Sequence, residues 1–373
     1  MKIEVFEMER WQSLWENVVD YNISESGVRP LLLEELADAE EINGILKTKL
    51  GYIQTDGIRE LKELISSLYA DAGPDNILVT SGSAEANFTL MWRLIEPGDE
   101  VVFMLPNFMQ MGGLVKNFGG RIKPFYLKED RDWNPDPEEL KKIVTKETKI
   151  IIVTNPNNPT GGQLNEESRK ALLDLAEWAD AWLISDEVYQ GAEYDGRITP
   201  SFWGTYKKTF VTCGLSKAYG LPGLRVGWIV GPKDWVHDIW AYKDYTSIVI
   251  SAVSDRLARI ALAPQKRGQI LERTRRIIRR NLAILTDWME KQEGLFHCTY
   301  PKAGAIAFPK YHLEMNATEL ATRIRDSKSV LLQPGDQLGM DHHIRFGLGE
   351  DEDHFKKALG LVAEGLNEIR KRA

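Results

Sequence analysis

Residues 209–230 read Thr-Phe-Val-Thr-Cys-Gly-Leu-Ser-Lys217-Ala-Tyr-Gly-Leu-Pro-Gly-Leu-Arg225-Val-Gly-Trp-Ile-Val. The apolar runs at its two ends, Thr209 to Cys213 and Arg225 to Val230, have the length and the β-branched and aromatic content of buried strands. The middle, punctuated by glycine and proline, reads as a tight connection. A lysine at the end of a buried strand is out of character for a side chain that normally keeps its ammonium in water. Desolvation and a neighbouring cation such as Arg225 are expected to lower its pKa, freeing the amine to form a Schiff base with an aldehyde.

Working outward, further short apolar runs precede this stretch: Ile77 to Thr80, Glu100 to Met104, Lys149 to Val153 and Trp182 to Asp186. Between them lie helical patterns at Gly57 to Ala72, Ser83 to Ile95, Glu138 to Thr145 and Glu166 to Ala179. Strand alternating with helix predicts an α/β fold, a mostly parallel sheet covered by helices on both faces. After about Asp255 the pattern changes to a long amphipathic helix, Gln265 to Lys291. Short strands follow around Gly304 to Phe308 and His343 to Gly347, and then a last helix, which together read as a smaller α+β domain. The first forty or so residues are too few to stand alone and are expected to pack onto this C-terminal part. The expected division is residues 45–275 for the large domain, and 1–44 with 276–373 for the small one.

In open α/β sheets ligands bind beyond the carboxyl ends of the strands. Four chemically loaded segments fall there: Ser81-Gly82-Ser83-Ala84, Asn155 to Gly161, Asp186 to Tyr189, and Ser216-Lys217. At the first, a strand turns through small residues into a helix, so free N–H groups and two hydroxyls can face a phosphate; an ordinary helix cap has the same look. This turn lacks the GxxxxGK[ST] and GxGxxG patterns, which disfavours an NTPase or a nicotinamide dehydrogenase. Asp186 ends an apolar run, so its carboxylate is expected to be buried and to need a cation; a protonated pyridine nitrogen would serve, and a helix-capping role is the plainer alternative.

In their order and spacing, Ser81-Gly-Ser83, Asn155-Pro-Asn-Asn-Pro-Thr-Gly161, Asp186-Glu-Val-Tyr189 and Ser216-Lys-Ala-Tyr-Gly-Leu-Pro-Gly-Leu-Arg225 resemble the class I/II aminotransferases. These belong to the aspartate-aminotransferase-like superfamily of pyridoxal 5′-phosphate (PLP) enzymes, fold type I, and the similarity runs from about Tyr52 to Arg345. The resemblance implies PLP as cofactor, with Lys217 as the residue that binds it covalently and shuttles the proton. Asp186 would pair with the pyridine nitrogen, while Asn158 and Tyr189 would hold the phenolic oxygen. Gly82, Ser83, Ala84, Ser216 and Arg225 would hold the phosphate, and Phe108 would stack on the ring. Arg345 matches the arginine that takes the substrate α-carboxylate in a bidentate fork, with Asn158 and the backbone at Gly27 beside it. Tyr52 matches a tyrosine that reaches the cofactor phosphate of the neighbouring subunit, implying a homodimer with shared sites.

Three departures from that pattern matter. Gly214 stands where many relatives carry a phosphate-binding hydroxyl, and Met111 where some place a histidine behind the aspartate. No residue aligns with the second arginine of dicarboxylate-specific enzymes; that segment offers Lys243 and Asp244, and Glu25 and Asp244 could instead suit a basic or polar side chain. The expected reaction moves an amino group between an L-amino acid and a 2-oxo acid. Another PLP reaction on the same scaffold, β-elimination or cyclisation of a basic amino acid, is the alternative.

Composition excludes other classes. Lys and Arg number 47 against 55 Asp and Glu, a formal charge of −8 that argues against general affinity for nucleic acid or anionic membrane. The basic cluster from Lys266 to Arg280 alternates with apolar residues at helical spacing and reads as a solvated helix face. No apolar run approaches the roughly 20 residues of a membrane span, and the acidic N-terminus lacks a signal-peptide pattern, so a cytoplasmic protein is expected. With only Cys213 and Cys298, both expected to be buried, and His342 adjacent to His343 rather than a helical turn away, neither a disulfide framework nor a metal site is expected.

Overall fold

A computed structural model describes residues 3–372. Its largest sheet has eight strands: β1 (Ile77–Thr80), β2 (Glu100–Leu105), β3 (Arg121–Lys128), β4 (Asn134–Pro135), β5 (Thr148–Thr154), β6 (Trp182–Asp186), β7 (Thr209–Gly214) and β8 (Gly227–Val230). They lie in the order β1-β8-β7-β6-β5-β2-β3-β4, with every neighbouring pair from β7 to β3 parallel. β8 runs against both of its neighbours, and β4 against β3. The expected mostly parallel α/β sheet is present.

Alternation along the strands sends successive side chains to opposite faces. Ile77, Val79, Val211, Cys213, Trp228 and Val230 join one core with Leu61, Ile65 and Leu257. Leu78, Phe210 and Ile229 join another, against Ala86, Leu90 and Leu94 of the helix Ser83–Leu94. Further along the sheet, Val102, Met104, Ile151 and Val153 pack on Leu172 and Ala176 of the helix Glu166–Ala179. Burial on both faces explains why these strands read as unbroken apolar runs.

Two sequence expectations differ in detail. Arg225 does not open β8; it sits before the strand in the left-handed region, at φ 51°. β3 was invisible as a strand because Arg121, Lys123 and Pro124 interrupt its apolar pattern.

The helix Pro264–Glu290 spans two cores: Ile270, Leu271, Ile277 and Ile278 pack under the main sheet, whereas Leu285 and Met289 pack with Phe346, Phe355 and Leu359. The second core also takes in Trp11 and Ile23, whereas Val28 and Leu36 join the core under the main sheet and Met8 a third, so the N-terminal residues are shared between cores. Its sheet contains β9 (Ile306–Ala307), β10 (Gln333–Pro334) and β11 (Ile344–Gly347) in the order β9-β11-β10. The arginines of the basic cluster are less solvated than expected. Arg273, Arg275, Arg279 and Arg280 bond the carbonyls of Arg29, Gly191, Tyr194 and Glu350, tying the long helix to loops of both cores. Cys213 is buried, but Cys298 only partly so. Among the described residues, no helix is long and apolar enough to cross a membrane.

Candidate active site

The four loaded segments meet where the sequence places them, at the carboxyl ends of β1, β5, β6 and β7. Gly82, at φ 79°, caps the helix Ser83–Leu94, and Arg225 lies against it. A Cβ on Gly82 would stand 2.3 Å from Arg225 Nη2, so only glycine admits the guanidinium here. Arg225 Nη1 in turn approaches Ser216 Oγ at 3.4 Å and donates to the Pro222 carbonyl at 3.1 Å. The first-turn N–H groups of Ser83 and Ala84 have no intrahelical acceptor. Together with Ser216 and Arg225 they gather a cup of donors and positive charge suited to a phosphate. One donor is withdrawn from it: Ser81 N–H bonds the Glu85 carboxylate at 2.5 Å, while no serine side chain caps the helix, whose N-cap is Gly82. The missing hydroxyl at Gly214 has a packing reason, since a Cβ there would be 3.0 Å from the Val226 carbonyl.

Asp186 is 4% exposed, and no cationic side chain pairs with it among the described residues. Its Oδ1 accepts the Val188 N–H at 3.1 Å. Burial pushes its carboxyl up to about 6, against the pull of that N–H, of Asn87 and of the more distant Lys217. An isolated buried carboxylate is costly, and a protonated ring nitrogen is a partner of the right charge. Asn87, one turn into the helix after Ser83, lies close enough to Asp186 to draw its carboxyl down, though its amide donates to Gln110 Oε1 at 3.1 Å; Met111 is core packing. Sequence reasoning missed Asn87, although its i+4 spacing from Ser83 puts both on one helix face.

Arg345, on β11, is fully buried without a carboxylate bound to it. Nη1 donates to Asn158 Oδ1 at 2.9 Å and Nη2 to the Ser24 carbonyl at 2.6 Å, while Nε has no partner. Burial lowers its pKa, opposed by Tyr189, Glu25 and Glu9. A buried guanidinium that lacks a counter-ion is a receptor for a carboxylate. Tyr189 is buried beside it and within reach of Lys217; burial raises its phenol, while the two cations draw it down. Phe108 is half-buried, with Phe6 edge-on at 5.1 Å between ring centroids. Its turn is held at the end of β5 by the hydroxyl of Thr154, which donates to Asn107 Oδ1 at 2.7 Å.

Lys217 corrects an expectation. Its pKa is raised, not lowered: burial alone would depress it, but Glu25 and Tyr189 outweigh burial. Glu25 Oε1 lies 2.5 Å from Lys217 Nζ and also accepts the Gly27 N–H at 2.9 Å. Burial would raise the Glu25 carboxyl, yet the lysine holds it at about 2. This pair joins residues 192 apart in the chain, and no local pattern signals it. The anticipated cation beside the lysine, Arg225, belongs to the cup and leaves the lysine's immediate partner negative. Tyr52 is not brought into this chain's site; it is 85% exposed. Lys243 is withdrawn from any ligand role, because its ammonium is buried on the carbonyls of Thr55, at 2.9 Å, and Ile248.

Known proteins resemble this chain over most of its length. A PLP-dependent aminotransferase from Streptococcus suis has a solved structure that superposes with a TM-score of 0.92 at 31% identity, covering 99% of both chains. Capreomycidine synthase of Streptomyces vinaceus is 29% identical over 79% of this chain and 75% of that protein. Aspartate/prephenate aminotransferase of Thermus thermophilus is 26% identical over 86% and 84%. The family model for aminotransferases of class I and II matches residues 20–361, and the chain therefore belongs to that PLP-dependent family.

Proposed function

We propose that this chain moves an amino group between an L-amino acid and a 2-oxo acid, with Lys217 carrying PLP and shuttling the proton. The observation that supports it most directly is a pair of opposite buried charges that have no ionic partners among the described residues, Asp186 and Arg345, both within electrostatic reach of Lys217. One suits a cationic ring, the other an amino-acid carboxylate.

The bound cofactor supplies an electron sink for the bond broken at the substrate α-carbon. The chain's residues position and protonate around it. Asp186 keeps a proton on the ring nitrogen, and the Ser83 and Ala84 N–H groups, Ser216 and Arg225 hold the phosphate. Asn158 Oδ1 is occupied by Arg345, so its Nδ2 is free to donate to the ring's phenolic oxygen, alongside Tyr189. Phe108, fixed edge-on by Phe6, covers one ring face. Arg345 would orient the substrate, and Lys217 Nζ, once released by the cofactor, would take the proton from the substrate Cα and return it at the cofactor's C4′. Tyr52, exposed in its own chain, completes the cup of a second copy in a homodimer.

The test is the visible spectrum of the loaded protein during titration with a panel of amino acids. Bleaching of the imine band with release of the matching 2-oxo acid is expected. Ammonia release would mark an elimination instead, and a band that no amino acid perturbs would overturn the reading.

A further inference from the structure

Glu25 does more at this site than neutralise a lysine. Its backbone is pinned: Gly347 N–H donates to the Ile23 carbonyl at 2.7 Å, and Arg29 N–H to the Gly349 carbonyl at 2.9 Å. The segment between them lies along the end of β11, beside Arg345. The Gly27 N–H then fixes the carboxylate itself. In the unloaded chain that carboxylate already binds a primary alkylammonium, that of Lys217.

Loading removes this partner. While an arriving amino acid is admitted, the lysine amine would be committed to the cofactor and would offer no ammonium, and the substrate carboxylate would claim Arg345, whose Nε is buried and unpartnered among the described residues. The cations that act on Glu25 are these two. Three carboxylates also bear on this pair of ends, Glu16 and Glu350 on Glu25 and Glu9 on Arg345. Lys243, the remaining cation in the segment where a side-chain receptor would lie, is committed to backbone carbonyls. Glu25 meanwhile stays reachable, with its side chain 40% exposed. A second carboxylate on the substrate would enter a field of like charge, whereas a terminal cation would replace the lysine on Glu25.

Resting on the reading of the site as an amino-acid site, we propose that Glu25 determines specificity by pairing with the side chain of a cationic amino donor, an ω-ammonium or guanidinium. Arg345 and Glu25 would then grip the two ends of one molecule.

The test uses the PLP-loaded protein and ligands that stop short of proton transfer because they carry no α-proton: α-methylornithine, its neutral counterpart α-methylnorvaline and α-methylglutamate, each titrated against the imine band. Wild type is expected to prefer the ornithine analogue to the norvaline analogue by about tenfold or more, with the glutamate analogue weakest. Glu25→Gln, close in shape, should shrink that preference by about tenfold. Raising the salt concentration should narrow it in wild type, a readout that needs no variant. Preference for the glutamate or norvaline analogue in wild type overturns the proposal. So does a Glu25→Gln variant that weakens both the ornithine and norvaline analogues equally, since Glu25 would then serve only as a counter-ion for Lys217. If no analogue and no amino acid moves the band of the loaded protein, the amino-acid reading itself falls, and the inference with it.

Discussion

Asp186→Asn is expected to act in opposite directions on the unloaded and loaded protein. In the unloaded chain burial sets this carboxyl at about 6 against an ordinary 3.8. At 1.36 kcal/mol per pH unit, that displacement costs about 3 kcal/mol when the group is charged. The sign follows from proton counting. Near pH 4 the unfolded chain releases this proton while the folded chain keeps it, so the contribution of Asp186 to stability falls as pH rises from about 4 to 6. Above that the full cost stands. Asparagine does not titrate, and the other ionisable groups cancel in the difference between the two proteins. The unfolding free energy of the variant minus that of wild type should therefore move in the variant's favour by up to about 3 kcal/mol between pH 4 and 7. With cofactor the order reverses: losing the charge opposite the ring nitrogen should weaken PLP binding by roughly 1.5 to 3 kcal/mol, about tenfold to 150-fold. Urea unfolding of both stripped proteins at pH 4, 5, 6 and 7, followed by circular dichroism, measures the first effect. An absorbance titration with PLP at pH 7 measures the second. A stability difference that stays flat across this range, or a variant that binds PLP as tightly as wild type, refutes the assignment of Asp186 as the buried partner of the ring.

Three further outcomes follow from the same geometry. Lys217→Ala should fold and retain weak PLP binding through the cup but show no imine band; borohydride reduction of wild type followed by peptide mapping should find the pyridoxyl group on Lys217 and on no other lysine. Arg345→Lys should leave cofactor affinity nearly intact while weakening amino-acid binding by about 1.5 to 3 kcal/mol, because an ammonium cannot reproduce the fork held by Asn158 and Ser24; unchanged amino-acid affinity would make Arg345 structural. Mixing Lys217→Ala chains with chains carrying a crippling Tyr52 substitution should restore activity in exchanged dimers, each of which would hold one intact site, whereas no recovery after confirmed exchange would remove Tyr52 from its partner's site.

Much of this site was readable because its parts are local. Ser81 to Ala84, Asp186 and Ser216-Lys217 each terminate a strand buried on both faces, and such strands advertise themselves as apolar runs whatever their neighbours. Where a strand carries charge and proline, as Arg121 to Lys128 does, the same logic misses it. The direction of β8 was equally hidden, since antiparallel pairing leaves a fully buried strand just as apolar as parallel pairing would.

Electrostatics was the harder quantity, because it is set by residues far apart in the chain. The expectation that Lys217 has a lowered pKa followed from burial and from Arg225, eight positions on, and burial does depress it. The sign is reversed by Glu25, which reaches the lysine only because Ile23 to Arg29 is laid along β11 by hydrogen bonds to Gly347 and Gly349. The same placement gives the lysine a consequence for loading. An ammonium held by a carboxylate at 2.5 Å is a poor nucleophile, so Lys217 would have to leave Glu25 and give up its proton before its amine could take up PLP. Glu25 would thus oppose the uptake of cofactor, and would be freed for another cation while the lysine holds PLP.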